Sequence, residues 1–193
     1  GHSNSILDLQ FSPTSDRLLT CGGDHTVRLW DLQSCTPIAT LQTHPDWVCH
    51  CAWHPSGTLV ASGDKRGTVR VTKLDGTTGS TAGSYTHKNF VTGLAFSPFV
   101  FGATLLASCS HDFTAQIYDV ELGRVRQTLG GHTMGVTSLQ WSGHENILYT
   151  SSRDRTVLVH DLRTGKPAHV LKRHAHWVNE LSLSTGYVLQ QGG

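Results

Sequence analysis

Five histidines stand at near-equal intervals along this chain. They are His2, His44, His87, His132 and His174, separated by 42, 43, 45 and 42 residues. A period of this size constrains the fold more than any single residue does, because each unit must bury its apolar face against its neighbours. The far end of the unit recurs as well. TVRLWD closes the first unit, and TVRVTK, TAQIYD and TVLVHD close the next three. The aromatic position of these endings reads Trp30, Thr72, Tyr118 and His160, which lie 28, 28, 31 and 28 residues after the head histidine. The extra length of the third unit falls within SPFVFGATLLA and predicts a longer hairpin loop. The repeats run approximately over 1–42, 43–85, 86–130 and 131–172, with the start of a fifth at 173–193.

Within each unit an aliphatic residue follows the histidine, and apolar residues follow it three and five positions later. The sets are Ile6, Leu9, Phe11; Val48, Cys51, Trp53; Val91, Leu94, Phe96; Val136, Leu139, Trp141; and Val178, Leu181, Leu183. Residues two apart share one face of a strand. Pro13, Pro55 and Pro98 then mark strand ends and turns. A second strand (RLLTC, TLVAS, LLASC, ILYTS) and a third follow. Twenty glycines favour short strands joined by turns.

A period of 40 to 45 residues, with GH near the start and WD near the end, resembles the WD40 β-propeller. The resemblance implies an all-β fold in which each unit is a blade of four antiparallel strands and several blades close a ring. Four blades and the start of a fifth then form part of a larger, eight-bladed ring. A ring interrupted after four units leaves open edges, so the chain is expected to be part of a longer protein.

A histidine, a hydroxyl and an acid invite a catalytic reading. The same set recurs in every unit, however, and one active site needs no copy per blade. The hydroxyls are Thr20, Ser62, Ser108 and Thr150, and the turn acids are Asp24, Asp112 and Asp154. The expectation is a structural network: histidine bridges acid and hydroxyl, and the hydroxyl holds the indole where one exists. The first unit carries the full tetrad, His2, Thr20, Asp24 and Trp30. The second keeps His44 and Ser62 but has Arg66 and Thr72 in the acid and aromatic places, so its blade is expected to be the least rigid. The third has His87, Ser108, Asp112 and Tyr118; the fourth has His132, Thr150, Asp154 and His160.

Cys49, Cys51 and His54 suggest zinc, but the spacing is wrong for a structural site, and Cys51 takes the place held by leucine in other units. Core packing is expected instead. The five cysteines form no disulfide framework and read as reduced thiols of a cytosolic or nuclear protein. No glycine-rich phosphate loop is present, and GTTGSTAGS (76–84) reads as a loop between the second and third blades. Neither a cofactor nor a metal nor a small-molecule substrate is expected. No apolar run approaches the length of a membrane span, no signal peptide is visible, and no membrane partner is expected.

Function is expected on the loops at the narrow end of the ring. Three positions per unit point there: two flank the first aliphatic residue, and one precedes the turn acid. They bring together Trp47, Phe90, Trp177 and Asn179 with Lys65, His111 and Arg153. Aromatic and arginine anchors suit protein hot spots, and the same mix suits RNA bases and phosphates. The competing expectation is that Trp47 and Trp177 pack against neighbouring blades. With a formal net charge of +1, bulk electrostatics selects no partner.

The ending is more specific than the period. RHAHWVNELSLSTGYVL resembles the fifth-unit opening of the Notchless family through His174, His176, Trp177, Val178, Asn179, Leu183, Ser184, Thr185, Tyr187 and Leu189. GHTMGVTSLQWSG, LYTSSRDRTVLVHD and HKNFVTGLAFSP look like that family's fourth and third units. Arg173 departs from a usual glycine, and Thr72-Lys73 from a usual Trp-Asp. The resemblance implies a non-catalytic assembly factor for the large ribosomal subunit in the nucleolus and nucleus. It further implies an N-terminal ubiquitin-like domain, outside this chain, that engages the AAA+ ATPase midasin while the propeller anchors to pre-ribosomal proteins and rRNA. The alternative is a generic WD40 adaptor, such as a ubiquitin-ligase substrate receptor.

Overall fold

The computed structural model describes the chain except for residues 43, 77, 99–102, 143–145 and 184–193. The expected longer loop of the third unit and residues Ser184, Thr185, Tyr187 and Leu189 lie outside the described residues. The remainder contains sixteen strands in four sheets. The first sheet comprises β1 (Ile6–Phe11), β2 (Arg17–Gly22), β3 (Thr26–Asp31) and β4 (Thr36–Gln42), hydrogen-bonded in sequence order. The second comprises β5 (Val48–Trp53), β6 (Leu59–Asp64), β7 (Thr68–Asp75) and β8 (Thr78–Thr86). The third comprises β9 (Val91–Phe96), β10 (Leu105–Ser110), β11 (Ala115–Asp119) and β12 (Arg124–Leu129). The fourth comprises β13 (Val136–Trp141), β14 (Ile147–Ser152), β15 (Val157–Asp161) and β16 (Lys166–Leu171).

Every pairing is antiparallel, as short hairpins between successive strands require. The leading strands β1, β5, β9 and β13 lie next to one another in turn. They line a polar cleft of about 370 Å³ that includes Asp8, His50, Thr137 and Glu180. The sheets are thus blades of a β-propeller, with the leading strands innermost.

The alternating apolar residues fill the gaps between blades. Leu19, Leu29, Val48 and Cys51 join the first gap, Val71, Val91 and Leu106 the second, and Ile117, Leu139 and Leu148 the third. The innermost strand of blade one differs: Ile6 and Phe11 are 53% and 59% exposed, whereas their counterparts Val136 and Trp141 are buried.

One sequence expectation is corrected here. The run at 76–84 is not a loop between blades: residues 78–86 form β8, the outer strand of blade two. Its small residues are required by what presses on them. A side chain at Gly83 would run into the Tyr118 ring of blade three, whose hydroxyl already touches that space.

Candidate functional site

At one end of the propeller, the loop before each inner strand meets the turn between the second and third strands. The turn places one residue in left-handed backbone in every blade: His25, Gly67, Phe113 and Arg155 have φ values of 65°, 91°, 74° and 70°. Only the second blade uses glycine, which adopts this conformation without strain.

In blade one the Trp30 indole N–H, which can only donate, gives its hydrogen bond to Thr20 Oγ1 at 2.8 Å. The Thr20 hydroxyl proton therefore goes to His2 Nε2, 2.7 Å away. His2 must then carry its own proton on Nδ1, which donates to Asp24 Oδ2 at 2.8 Å. Burial alone would raise the Asp24 carboxyl, but hydrogen bonds from Thr26, the Ser3 amide and His2 outweigh it and hold it well below the usual range.

Blade two builds the same network from a different residue. His44 Nδ1 donates not to a side chain at position 66 but to Asp64 Oδ2 at 2.9 Å, and Ser62 lies 2.8 Å from His44 Nε2. Asp64 stands at the end of β6, where the third and fourth blades have Ser110 and Ser152. Its other oxygen accepts from the Arg66 and Thr68 amides at 2.9 and 2.7 Å, which fixes the turn. Both His44 and Asp64 side chains are fully buried. The expectation that blade two lacks its acid is therefore corrected: the acid is displaced by two residues. Arg66 points outward and pairs with Asp46 at 3.3 Å.

Blade three corrects the aromatic position. The Ser108 hydroxyl accepts from Tyr85 at 2.9 Å, and His87 lies between Ser108 and Asp112 at 2.8 and 3.0 Å. Tyr118, in the aromatic place, instead stacks on Tyr85 with ring centroids 4.5 Å apart. Tyr85 comes from β8 of the preceding blade, so this network spans two blades. Tyr85→Phe is expected to lower stability by about 1 kcal/mol, because one buried bond is lost while the stack survives. Chemical denaturation of the variant measures it, and an unchanged midpoint would remove Tyr85 from the network.

In blade four Thr150 lies 2.9 Å from both His132 Nε2 and His160 Nε2, and His132 Nδ1 donates to Asp154 at 2.8 Å. His160 replaces the indole by donating from Nε2. Its Nδ1 is then a bare acceptor, buried without a partner among the described residues. Burial pushes the His160 imidazole down to about 4, and the nearby His132 adds to the effect.

These networks satisfy buried groups and leave none aimed at a substrate. The thiols are equally inert. Burial pushes Cys49 up to about 11 and Cys109 up to about 12, and Cys51 lies in the core between blades one and two. His54 is turned edge-on to Phe96 at 5.1 Å.

The loops above the tetrads carry the candidate face. Lys65 Nζ lies 4.7 Å from the Trp47 ring centre, within blade two. The next three blades are linked. Phe90 stacks on His111 at 4.7 Å, Arg153 Nη1 donates to His111 Nε2 at 3.2 Å, and the same guanidinium lies 4.7 Å from the Trp177 ring centre. Gly135 permits this, since a Cβ there would come within 2.5 Å of the His111 ring. Trp47 and Trp177 remain 42% and 56% exposed. Asn179 departs from the group and lines the axial cleft. The other flanking positions serve the fold: the Thr92 and Thr137 hydroxyls donate to the Val136 and Val178 carbonyls of the next inner strand.

A repeated four-stranded blade held by a His–hydroxyl–acid network defines a class, and the family comparison agrees with it. The model described as "WD domain, G-beta repeat" matches residues 1–31, 35–72, 79–119 and 123–161. The chain belongs to the WD-repeat family. Over its whole length it is 40% identical to Protein Notchless of Drosophila melanogaster, covering 40% of that protein. It is likewise 39% identical to Ribosome assembly protein 4 of Saccharomyces cerevisiae, covering 38% of it. The chain thus spans about two fifths of the curated relatives it matches. The solved structure of U3-55K superposes with a TM-score of 0.82 at 24% identity over 93% of this chain and 55% of that one, which is a likeness of fold.

Proposed function

We propose that this chain is the anchoring portion of a non-catalytic assembly factor for the large ribosomal subunit, working in the nucleolus and nucleus. The observation that carries this reading is the full-length similarity to Protein Notchless and to Ribosome assembly protein 4. The geometry is compatible with a scaffold: titratable groups are locked in repeated networks, while paired aromatics and cations reach solvent on one face. In this reading the uncovered inner strand of blade one is met by further blades of an eight-bladed ring. An N-terminal ubiquitin-like domain engages midasin, and the propeller holds the particle while the ATPase remodels it.

Sedimentation of tagged full-length protein from nuclear lysate tests the reading. Co-migration with large-subunit precursors, lost on RNase treatment, is the expected result; a peak with a different complex would favour the adaptor role instead. Arg153→Glu is expected to weaken this co-migration severalfold. Its melting temperature should barely change, because the Trp177 contact is exposed and worth about 0.5–1 kcal/mol. A large loss of melting temperature would mark Arg153 as structural.

A further inference from the structure

We propose that the tetrad-end face binds single-stranded RNA, with bases stacking on Trp47 and Trp177 and phosphates meeting Lys65 and Arg153. This deepens the assembly-factor reading and rests on it. Four carboxylates at this end, Asp24, Asp64, Asp112 and Asp154, are sequestered in the tetrads with side-chain exposures of 4%, 0%, 7% and 9%. What reaches solvent there is cationic: Lys65, Arg66, Lys88 and Arg155 are exposed and Arg153 is half-buried, against one partly exposed acid, Asp46, that Arg66 already engages.

Charge alone would equally suit an acidic peptide. The aromatic pairing favours RNA. Around successive blades a planar ring sits beside a cation: Trp47 with Lys65, Phe90 with His111, and Trp177 with Arg153. An acidic peptide has carboxylates but no planes to lay on these rings. A single strand repeats both a base and a phosphate in each residue, and stacking of bases on aromatics beside a cationic track is how such strands are held without sequence readout. The rings are also held in place beforehand. The Phe90–His111–Arg153–Trp177 chain fixes Arg153 from two sides, so less side-chain freedom is lost on binding.

The test uses full-length protein and a fluorescein-labelled oligouridine of about twelve nucleotides, read by anisotropy. The same-length RNA duplex and a polyglutamate peptide are the comparisons. The oligouridine is expected to bind more tightly than either. Its affinity should fall with salt with a log–log slope near −2, about 0.7 for each of roughly three phosphates. Trp177→Ala and Trp47→Ala are each expected to weaken it about tenfold, with partial rescue by phenylalanine and an unchanged melting temperature. Equal binding of polyglutamate, or tryptophan variants that bind oligouridine like the parent, would overturn the proposal in favour of a peptide surface. If oligouridine fails to bind while the protein still sediments with RNase-sensitive precursors, this inference falls and the assembly-factor reading stands. If both fail, both are overturned.

Discussion

Asp64→Ala is expected to destabilise the protein by about 3 kcal/mol, whereas Arg66→Ala should change it by less than about 0.5 kcal/mol. The two residues are neighbours in one turn, and alignment of the repeats places the arginine, not the aspartate, in the acid position. The physics assigns the weight differently. Asp64 is fully buried and accepts from His44 Nδ1 and from two turn amides. Removing it strands three buried donors at once. Arg66 has a side chain that is 65% exposed and pairs only across solvent. Urea unfolding of both variants decides between them. Comparable midpoints would mean that the displaced acid does not carry the blade.

Acidification gives the second large effect. His160 titrates near 4 in the folded protein because it is buried, against about 6.5 in an unfolded chain. Below pH 6.5 the unfolded chain therefore takes up a proton that the folded protein refuses. Stability is full above pH 6.5 and falls as the pH drops, reaching a loss of about 3 kcal/mol near pH 4. His87, lowered by burial against the opposing pull of Asp112, loses stability in the same direction. The tetrad carboxylates Asp24, Asp64, Asp112 and Asp154 are held low. Their contribution is present above the ordinary aspartate range and disappears only as the pH falls further. His160→Gln keeps a donor for Thr150 and removes the titration. Its unfolding free energy should be markedly flatter between pH 6.5 and 4 than that of the parent. An equally steep decline in the variant would reassign the effect to other groups.

Much of this architecture is legible in the sequence, because it repeats. The head histidines, the hydroxyls and the inner-strand apolar triplets recur at fixed distances, and each lands where its period puts it. What the period hides is substitution across space. Asp64 reaches the acid site from the end of a strand instead of from the turn, so counting from the histidine points to Arg66. Tyr85 serves the network of the following blade, which no alignment within one unit reveals. The β8 run looks like a linker because its glycine and hydroxyl residues suit exposed turns. It is a strand because β7 offers it a hydrogen-bonding edge and Tyr118 demands that it be small. The face was readable as a set of positions but not as a set of pairs: Arg153 finds its aromatic partner in the next unit, Trp177.

The exchange between blades two and three has a consequence for how the molecule comes apart. In a chain of repeats, cooperativity passes from neighbour to neighbour, and it breaks where adjacent units are least coupled. Tyr85 reaches forward into the network of blade three, and Tyr118 reaches back onto Gly83 of blade two. Each of these blades is therefore incomplete without the other. Hydrogen exchange should find their amides opening together as one unit, with the amides of blade one, whose inner strand is uncovered, released first.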